Sequence, residues 1–381
     1  MKKLVLIIIS ILIYSCTDIS QIDGLLDEVE VLRDNYGINH IYANNQNDLF
    51  FMQGYLAAKD RLFQFEIWRR QATGTVAEIF GDDELERDIG TRLFKFRGNI
   101  TDELNNYHED GFEIVSSFVS GINKYIEEIN NEPNQLPIEF KILGIKPEKW
   151  TNEDVISRHQ GLLGNIEEEL NIGRAVSLIG EDKTKEILWF HPKDPDISLD
   201  ESLTYEDLKQ DILRLYNAYR EPIEFKKHYV LENYQSGDDV ASADISEYIN
   251  DRYSIGSNNW VISGDKSFNG YPLLANDPHR SLSNPSLRYM AHLVAPGWNV
   301  IGGGEPEIPG ISIGHNGIGA WGLTVFRTDA EDLYVYDLNP NNYTQYMHNG
   351  EWINFEIVNE SIAVKDNDDI NVELFYSVHG P

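Results

Sequence analysis

The chain has 381 residues, 41% of them hydrophobic, enough to bury a large core or two domains. Its net charge is 31 − 63 = −32, a field that repels phosphate backbones and argues against nucleic acid as a partner. With 20 Tyr, 16 Phe and 7 Trp it is too aromatic to be disordered despite that charge. Divalent cations are not repelled, but a solvated acidic surface is the default, so a calcium site needs a specific cluster.

The first residues carry a compartment signal. Lys2 and Lys3 precede an apolar run, Leu4 to Ile13, too short for a good membrane span and suited to the apolar stretch of a signal peptide. The run leads into Tyr14-Ser15-Cys16, and Cys16 is the single cysteine. An Ile-x-Ser-Cys ending resembles a bacterial lipobox, although Tyr14 stands where a smaller residue is usual. The expectation is a signal peptide over 1–16, export to the periplasm or cell surface, and lipidation at Cys16 as the only membrane contact. No disulfide can form within the chain.

Glu28 to Arg33 alternates apolar and polar residues, Asp34-Asn35-Tyr36-Gly37 reads as a turn, and Ile38 to Ala43 as a return strand. Phe51, Tyr55, Ala58, Leu62 and Phe65 share one helical face, as do Phe112, Val115, Val119, Ile122, Ile126 and Ile129. Asn130 to Pro137 reads as a loop. Thr151 followed by Asp154 marks a helix start, and that helix is expected to run to about Ile179. One more helix is expected over 205–220. Residues 17–227 thus read as a mostly helical region and 228–256, acidic and weakly patterned, as a spacer. From Ser257 to the end strands dominate, giving an α+β chain. Asn258 to Ser263 is a short strand, Asn269-Gly270 a hairpin signal and Leu273 to Asn276 the return strand. With a two-residue loop, paired positions sum to 539, which sets Ser257 opposite Leu282 and His279 opposite Trp260.

Three serine motifs compete for the chemistry. Gly310-Ile311-Ser312-Ile313-Gly314 matches the nucleophile-elbow pattern, but that pattern needs a following helix, and His315-Asn316-Gly317-Ile318-Gly319 does not favour one. Ser263-Gly264-Asp265-Lys266 matches S-x-x-K but sits at a strand end. The third is Ile255-Gly256-Ser257-Asn258-Asn259-Trp260-Val261. Alone it is a strand entry after a glycine turn, but the hairpin folds Asn276-Asp277-Pro278-His279 back beside Ser257.

Ser257-Asn258-Asn259-Trp260-Val261 resembles the start of the catalytic chain of the penicillin acylase family, a branch of the N-terminal nucleophile hydrolases. Ala275-Asn276-Asp277-Pro278-His279, Pro309-Gly310, Gly314-His315-Asn316 and Ala320-Trp321-Gly322-Leu323-Thr324 resemble its next blocks. Upstream, Arg33 to Ala43 resembles the opening hairpin, and Ala58-Lys59-Asp60-Arg61-Leu62-Phe63-Gln64 and Gly74-Thr75-Val76-Ala77-Glu78 the first helix. Several blocks agreeing in order are far more specific than one motif. The resemblance implies the four-layer αββα sandwich of that superfamily and a precursor that cuts itself between Gly256 and Ser257. The cut would leave a small and a large chain together as a heterodimer. The freed α-amine of Ser257, with an ordinary pKa of roughly 7.7–8.0, would take the proton of its own hydroxyl. The substrate would be a small N-acyl amide, a β-lactam antibiotic or an N-acyl-homoserine lactone.

The resemblance further implies that the backbone N–H of Val325 is an oxyanion donor and that His279 orients the nucleophile and its amine. It implies a structural calcium held by Asp329, Asp332, the carbonyl of Glu331 and a glutamate of the helical part. Glu169 is the best match for that glutamate, with Glu167 and Glu168 adjacent rivals. Calcium suits such oxygen-rich turns. Arg280 and Ile313 depart from an aromatic acyl pocket and leave the acyl group open. Only 381 − 257 = 124 residues follow Ser257, where the family's catalytic chain is several times longer. The expectation is a fragment lacking half of its sheet, with the second oxyanion donor beyond Pro381. Two other readings stand beside the acylase, a surface lipoprotein that keeps the fold only to bind, and an α/β-hydrolase that uses Ser312.

Overall fold

A computed structural model describes residues 22–157, 164–235, 256–279, 283–325 and 329–381. The leader with Cys16, most of the acidic segment before Gly256, and Arg280 lie outside the described residues. The architecture is mixed α+β.

Strands β1 (Glu30–Arg33) and β2 (Asn39–Tyr42) pair antiparallel with Glu30 opposite Tyr42. Asp34 closes the turn between them, its Oδ1 accepting the N–H groups of Tyr36 and Ile38, both at 2.9 Å. Helix α1 (Gln46–Thr73) follows, capped by the Asn45 side chain, which accepts the N–H of Asp48, and ended by Gly74 in the left-handed conformation. Phe51, Tyr55, Ala58, Leu62 and Phe65 are buried, but so are Leu49, Phe50, Met52 and Ala57. A helix buried on more than one face is a central one. Helix α2 (Gly111–Asn131) covers α1 with Val115, Phe118, Val119, Ile122 and Ile126.

The main sheet has the order β1-β2-β5-β6-β7-β8, completed by β5 (Tyr289–Ala295), β6 (Trp298–Gly304), β7 (Ile313–His315) and β8 (Ala320–Trp321). Only β2 and β5 run parallel. Helix α1 packs on this sheet through Ile41, Ala291 and Leu293. A separate hairpin of β3 (Ser257–Ile262) and β4 (Leu273–Pro278) leaves Trp260, Val261, Leu273 and Leu274 exposed. Beyond it lie a three-stranded sheet, Leu338–Asn339, Asn342–His348 and Glu351–Asn354, and a hairpin of Glu356–Ile362 with Ile370–Tyr376.

Three expectations change. The helix placed from Thr151 to Ile179 is Asn152–Ser157 and, after non-helical residues 164–165, α3 (Ile166–Ile179). The helix placed over 205–220 is two short ones, Tyr205–Leu208 and Arg214–Arg220. Arg174 draws the chain out of helix between them, donating to the carbonyls of Leu208 at 2.8 Å and Gln210 at 3.0 Å. The hairpin register also differs. Paired positions sum to 535, so Ser257 faces Pro278 and Trp260 faces Ala275. Asn269 is spent locally: its Oδ1 accepts the N–H of Tyr271, while Ser267 Oγ donates to the Tyr271 carbonyl. The connection therefore lengthens to residues 263–272. A shift of four is even, so the faces of both strands are kept.

The α1–α2 contact is close enough to require glycine. A Cβ on Gly121 would stand 1.9 Å from the Phe51 carbonyl oxygen. Gly121→Ala should therefore lower unfolding stability by about 1–3 kcal/mol in urea, whereas Ser120→Ala, exposed one residue away, should change it by less than about 0.5 kcal/mol. Equal midpoints for the two variants would contradict this packing.

Candidate active site

Ser257 opens β3, and three segments meet at it. The Val325 N–H donates to Ser257 Oγ at 3.2 Å. The His279 N–H donates to the Gly256 carbonyl oxygen at 2.8 Å, extending the β3–β4 ladder by one step. The His279 ring lies beside Gly256, with Nδ1 3.5 Å from where a Cβ on that glycine would be. Gly256 is absent from the left-handed residues, and a side chain there would meet only ordinary contact. Gly256 thus shows no left-handed backbone strain.

The segment 322–325 has no strand pairing of its own to hold Val325 in place. Two asparagine side chains hold it instead. Asn276 Nδ2 donates to the Leu323 carbonyl at 3.0 Å and to the Asn258 carbonyl at 2.9 Å, and its Oδ1 accepts the Leu323 N–H at 3.2 Å. Asn259 Nδ2 donates to the Gly322 carbonyl at 3.0 Å. A Cβ on Gly322 would stand 2.7 Å from Asn276 Cβ and Cγ, so the segment lies directly against that side chain. Sequence reading did not single out Asn276 or Asn259 for this role, although both lie in motif blocks. An amide that bridges two backbones leaves no periodic signal.

Beside the ring, His279 Nε2 is 3.1 Å from Asp277 Oδ2. Asn258 donates to the same carboxylate, by its N–H to Oδ1 at 3.1 Å and by Nδ2 to Oδ2 at 3.3 Å. Bonds from His279 first and then Asn258 hold the Asp277 carboxyl below the ordinary range. Ser312 is different. It precedes strand β7 rather than a helix, which removes the geometry a nucleophile elbow needs. Ile313 lies within β7, inside the main sheet.

The acidic loop is gripped from the helical part. Asn165, the residue before α3, donates Nδ2 to Asp329 Oδ1 and to the Glu331 carbonyl, each at 2.8 Å. Its Oδ1 accepts the N–H groups of Ala330 and Glu331, both at 3.1 Å. The Glu331 carboxylate is taken by the Tyr216 hydroxyl at 2.8 Å. Glu169 on α3 is held above the usual carboxylate range, first by burial, then by the negative charge of Asp332, with Asp329 a lesser cause. Among the described residues, no three His, Cys, Asp or Glu side chains stand close enough to hold an ion together.

The profile of the family described as Penicillin amidase matches residues 28–381. The chain belongs to that family. It is 27% identical to the penicillin G acylase of Escherichia coli, over 93% of this chain and 45% of that protein. It is also 27% identical to the acyl-homoserine lactone acylase QuiP of Pseudomonas aeruginosa, over 95% of this chain and 41% of that protein. A solved thermostable penicillin G acylase from Alcaligenes faecalis, 26% identical, matches 45% of this chain and 96% of its own, at a TM-score of 0.38. The chain thus spans less than half the length of these two curated relatives.

If Asn276 and Asn259 alone carry segment 322–325, Asn276→Ala should free it. Hydrogen exchange at the Leu323 and Val325 amides should then quicken about tenfold or more, the fold-change of some 1.4 kcal/mol of lost protection. Exchange in the α1–α2 core should be unchanged. Unaltered protection at Val325 would show that something else holds it.

Proposed function

We propose that the protein is an exported amide hydrolase that matures by self-cleavage between Gly256 and Ser257 and deacylates small N-acyl compounds through an acyl-enzyme on Ser257. The observation that carries this reading is the Val325 N–H at 3.2 Å from Ser257 Oγ, beside a Gly256 carbonyl that already accepts a bond from His279. A donor at that place can stabilise an oxyanion formed next to the serine. After the cut, the α-amine of Ser257 takes the hydroxyl proton, the hydroxyl attacks the amide carbonyl, the amine product leaves with the proton, and water releases the acid. The relatives' names point to two substrate groups, penicillins and acyl-homoserine lactones.

The same reading extends to assembly and compartment. The two products of the cut stay together as a heterodimer, since β2 and β5, on opposite sides of the cut, pair in one sheet. The sheet with α1 on it makes one α and one β layer of an αββα sandwich, and the exposed apolar side chains of the β3–β4 hairpin suit cover by a second sheet. Export rests on the leader-like Met1 to Cys16, with lipid on Cys16. Among the described residues no helix is long and apolar enough to cross a membrane.

A structural calcium belongs to this proposal. The donors are all oxygen: the carboxylates of Asp329, Asp332 and Glu169 and the carbonyl of Glu331. That chemistry suits calcium, and the charges of Asp332 and Asp329 already act on Glu169. Binding requires the carboxylates of Asp329, Asp332 and Glu169, which now stand too far apart to hold an ion together, to close in, and Asn165 to give up Asp329 Oδ1 and the Glu331 carbonyl. When bound, the ion would tie α3 to the acidic loop that follows Val325.

Two experiments on the full-length protein test these points. On a panel of N-acyl amides, Val325→Pro, which removes the N–H, should lower kcat/KM about 10²–10³-fold. Val325→Ala, which keeps it, should stay within about threefold of wild type. Equal activities for the two would refute the oxyanion assignment, and no turnover of any amide by the cut wild type would refute the hydrolase. Separately, calcium should raise the melting temperature of the wild type, and Asp332→Asn or Glu169→Gln should abolish that rise. A melting temperature indifferent to calcium and chelator would remove the metal from the account.

A further inference from the structure

We propose that the apolar cavity between α1, α2 and Trp298 is a second binding site, which takes a neutral ligand made of a hydrocarbon chain and one carbonyl group.

The cavity has a volume of about 440 Å³, within the roughly 300–1,000 Å³ of small-molecule sites. Phe50 on α1, Ile114 and Val115 on α2, Val155 on the Asn152–Ser157 helix, Trp298 on β6 and Ile308 line it. The first four are buried. None of Ser257, His279, Asn276 and Val325 lines it, so it is separate from the candidate active site.

A void left by poor packing costs stability, and its walls relax inward. Here two walls are pinned from α1 by side-chain amides. The buried Gln53 accepts the Gly310 N–H at 2.9 Å and donates to the Gly310 carbonyl at 3.0 Å, which fixes one end of the lining loop 308–310. Gln46 accepts the Trp298 Nε1–H at 2.9 Å, and its own amide donates to Asp110 Oδ2 at 3.3 Å. Moving either wall into the space would break these bonds and leave polar groups unpaired. The space is thus built into the fold.

The polar groups at the mouth select the ligand. Tyr107 and His108 are exposed there, at the end of the helix Ile100–Tyr107. The Tyr107 hydroxyl is spent on Glu103 Oε1 at 2.6 Å. His108 Nδ1 accepts the Asp110 N–H at 3.0 Å, so the ring hydrogen is on Nε2. That N–H has no hydrogen-bond partner among the described residues, and the ring lies against Trp298 with centroids 6.1 Å apart. One free N–H suits one carbonyl oxygen. A carboxylate would meet the like charges of Glu103 and Asp110, which stand beside Tyr107 and His108. The apolar body suits a hydrocarbon chain.

The test is calorimetric titration of the full-length protein at about pH 8 with 2-decanone and, separately, with decanoate, which is ionised there. The ketone carries the chain and the carbonyl and is not hydrolysed. It should bind as one equivalent with a Kd of about 10–100 μM, and decanoate should bind at least about tenfold more weakly. His108→Phe, a change at an exposed position, should weaken the ketone about 5–10-fold, the share of one neutral hydrogen bond. Ile308→Trp, which fills the space, should abolish binding with the melting temperature at or above that of wild type. No saturable ketone binding, the result expected if the rest of the full-length chain occupies the cavity, would overturn the proposal. So would decanoate binding as tightly as the ketone, or ketone binding unchanged in either variant.

Discussion

The Asn276 side chain is the constraint on which the site depends. Its amide bonds the backbones of Asn258 and Leu323 at once, joining the hairpin that opens with Ser257 to the segment that carries Val325. Without that bridge, nothing in strand pairing would bring residue 325 to residue 257, because β8 ends at Trp321 and no ladder continues beyond it. A neutral amide suits the task. It offers a donor and an acceptor to peptide groups that would otherwise be unpaired at a strand edge, and it adds no charge beside Ser257. Gly322 completes the fit by letting the segment lie against that side chain.

Much of the fold was legible because it is periodic. The faces of α1 and α2 follow from apolar spacing, and the opening hairpin from alternation and the Asp34 turn. What was not legible depends on side chains that turn the backbone. Asn269 closes a small turn on itself, so the β3–β4 register is four residues away from the one the Asn-Gly signal predicts. Arg174 divides the helix expected over 205–220. Arg69 and Arg70 are buried around Glu66, which both contact at hydrogen-bonding distance. In each case a polar side chain finds its partner through tertiary structure, and local propensity gives no sign of it.

The site shows the same division. Hairpin geometry keeps Ser257 and His279 at the open end under either register, but their side chains leave opposite faces, since Ser257 pairs with Pro278 and His279 with Gly256. Val325 was placed by resemblance to a family and not by any pattern in its own residues. Asn165 was not foreseen at all, yet it makes four hydrogen bonds to the acidic loop that follows Val325. Segment 322–325 is thus tied on both flanks, to the β3–β4 hairpin by Asn276 and, through the loop after it, to the helical part by Asn165. A chain of this acidity needs such neutral fasteners where two acidic segments meet.

The central claim is that Ser257 becomes an N-terminus and works from there. The most direct measurement is N-terminal sequencing and intact mass of the purified full-length gene product. The account predicts two chains that co-purify, the larger beginning Ser257-Asn258-Asn259-Trp260, and a single uncut chain from Ser257→Ala. An uncut junction in preparations that fully hydrolyse N-acyl amides, or a new terminus at any other residue in the 256–279 hairpin, would contradict it.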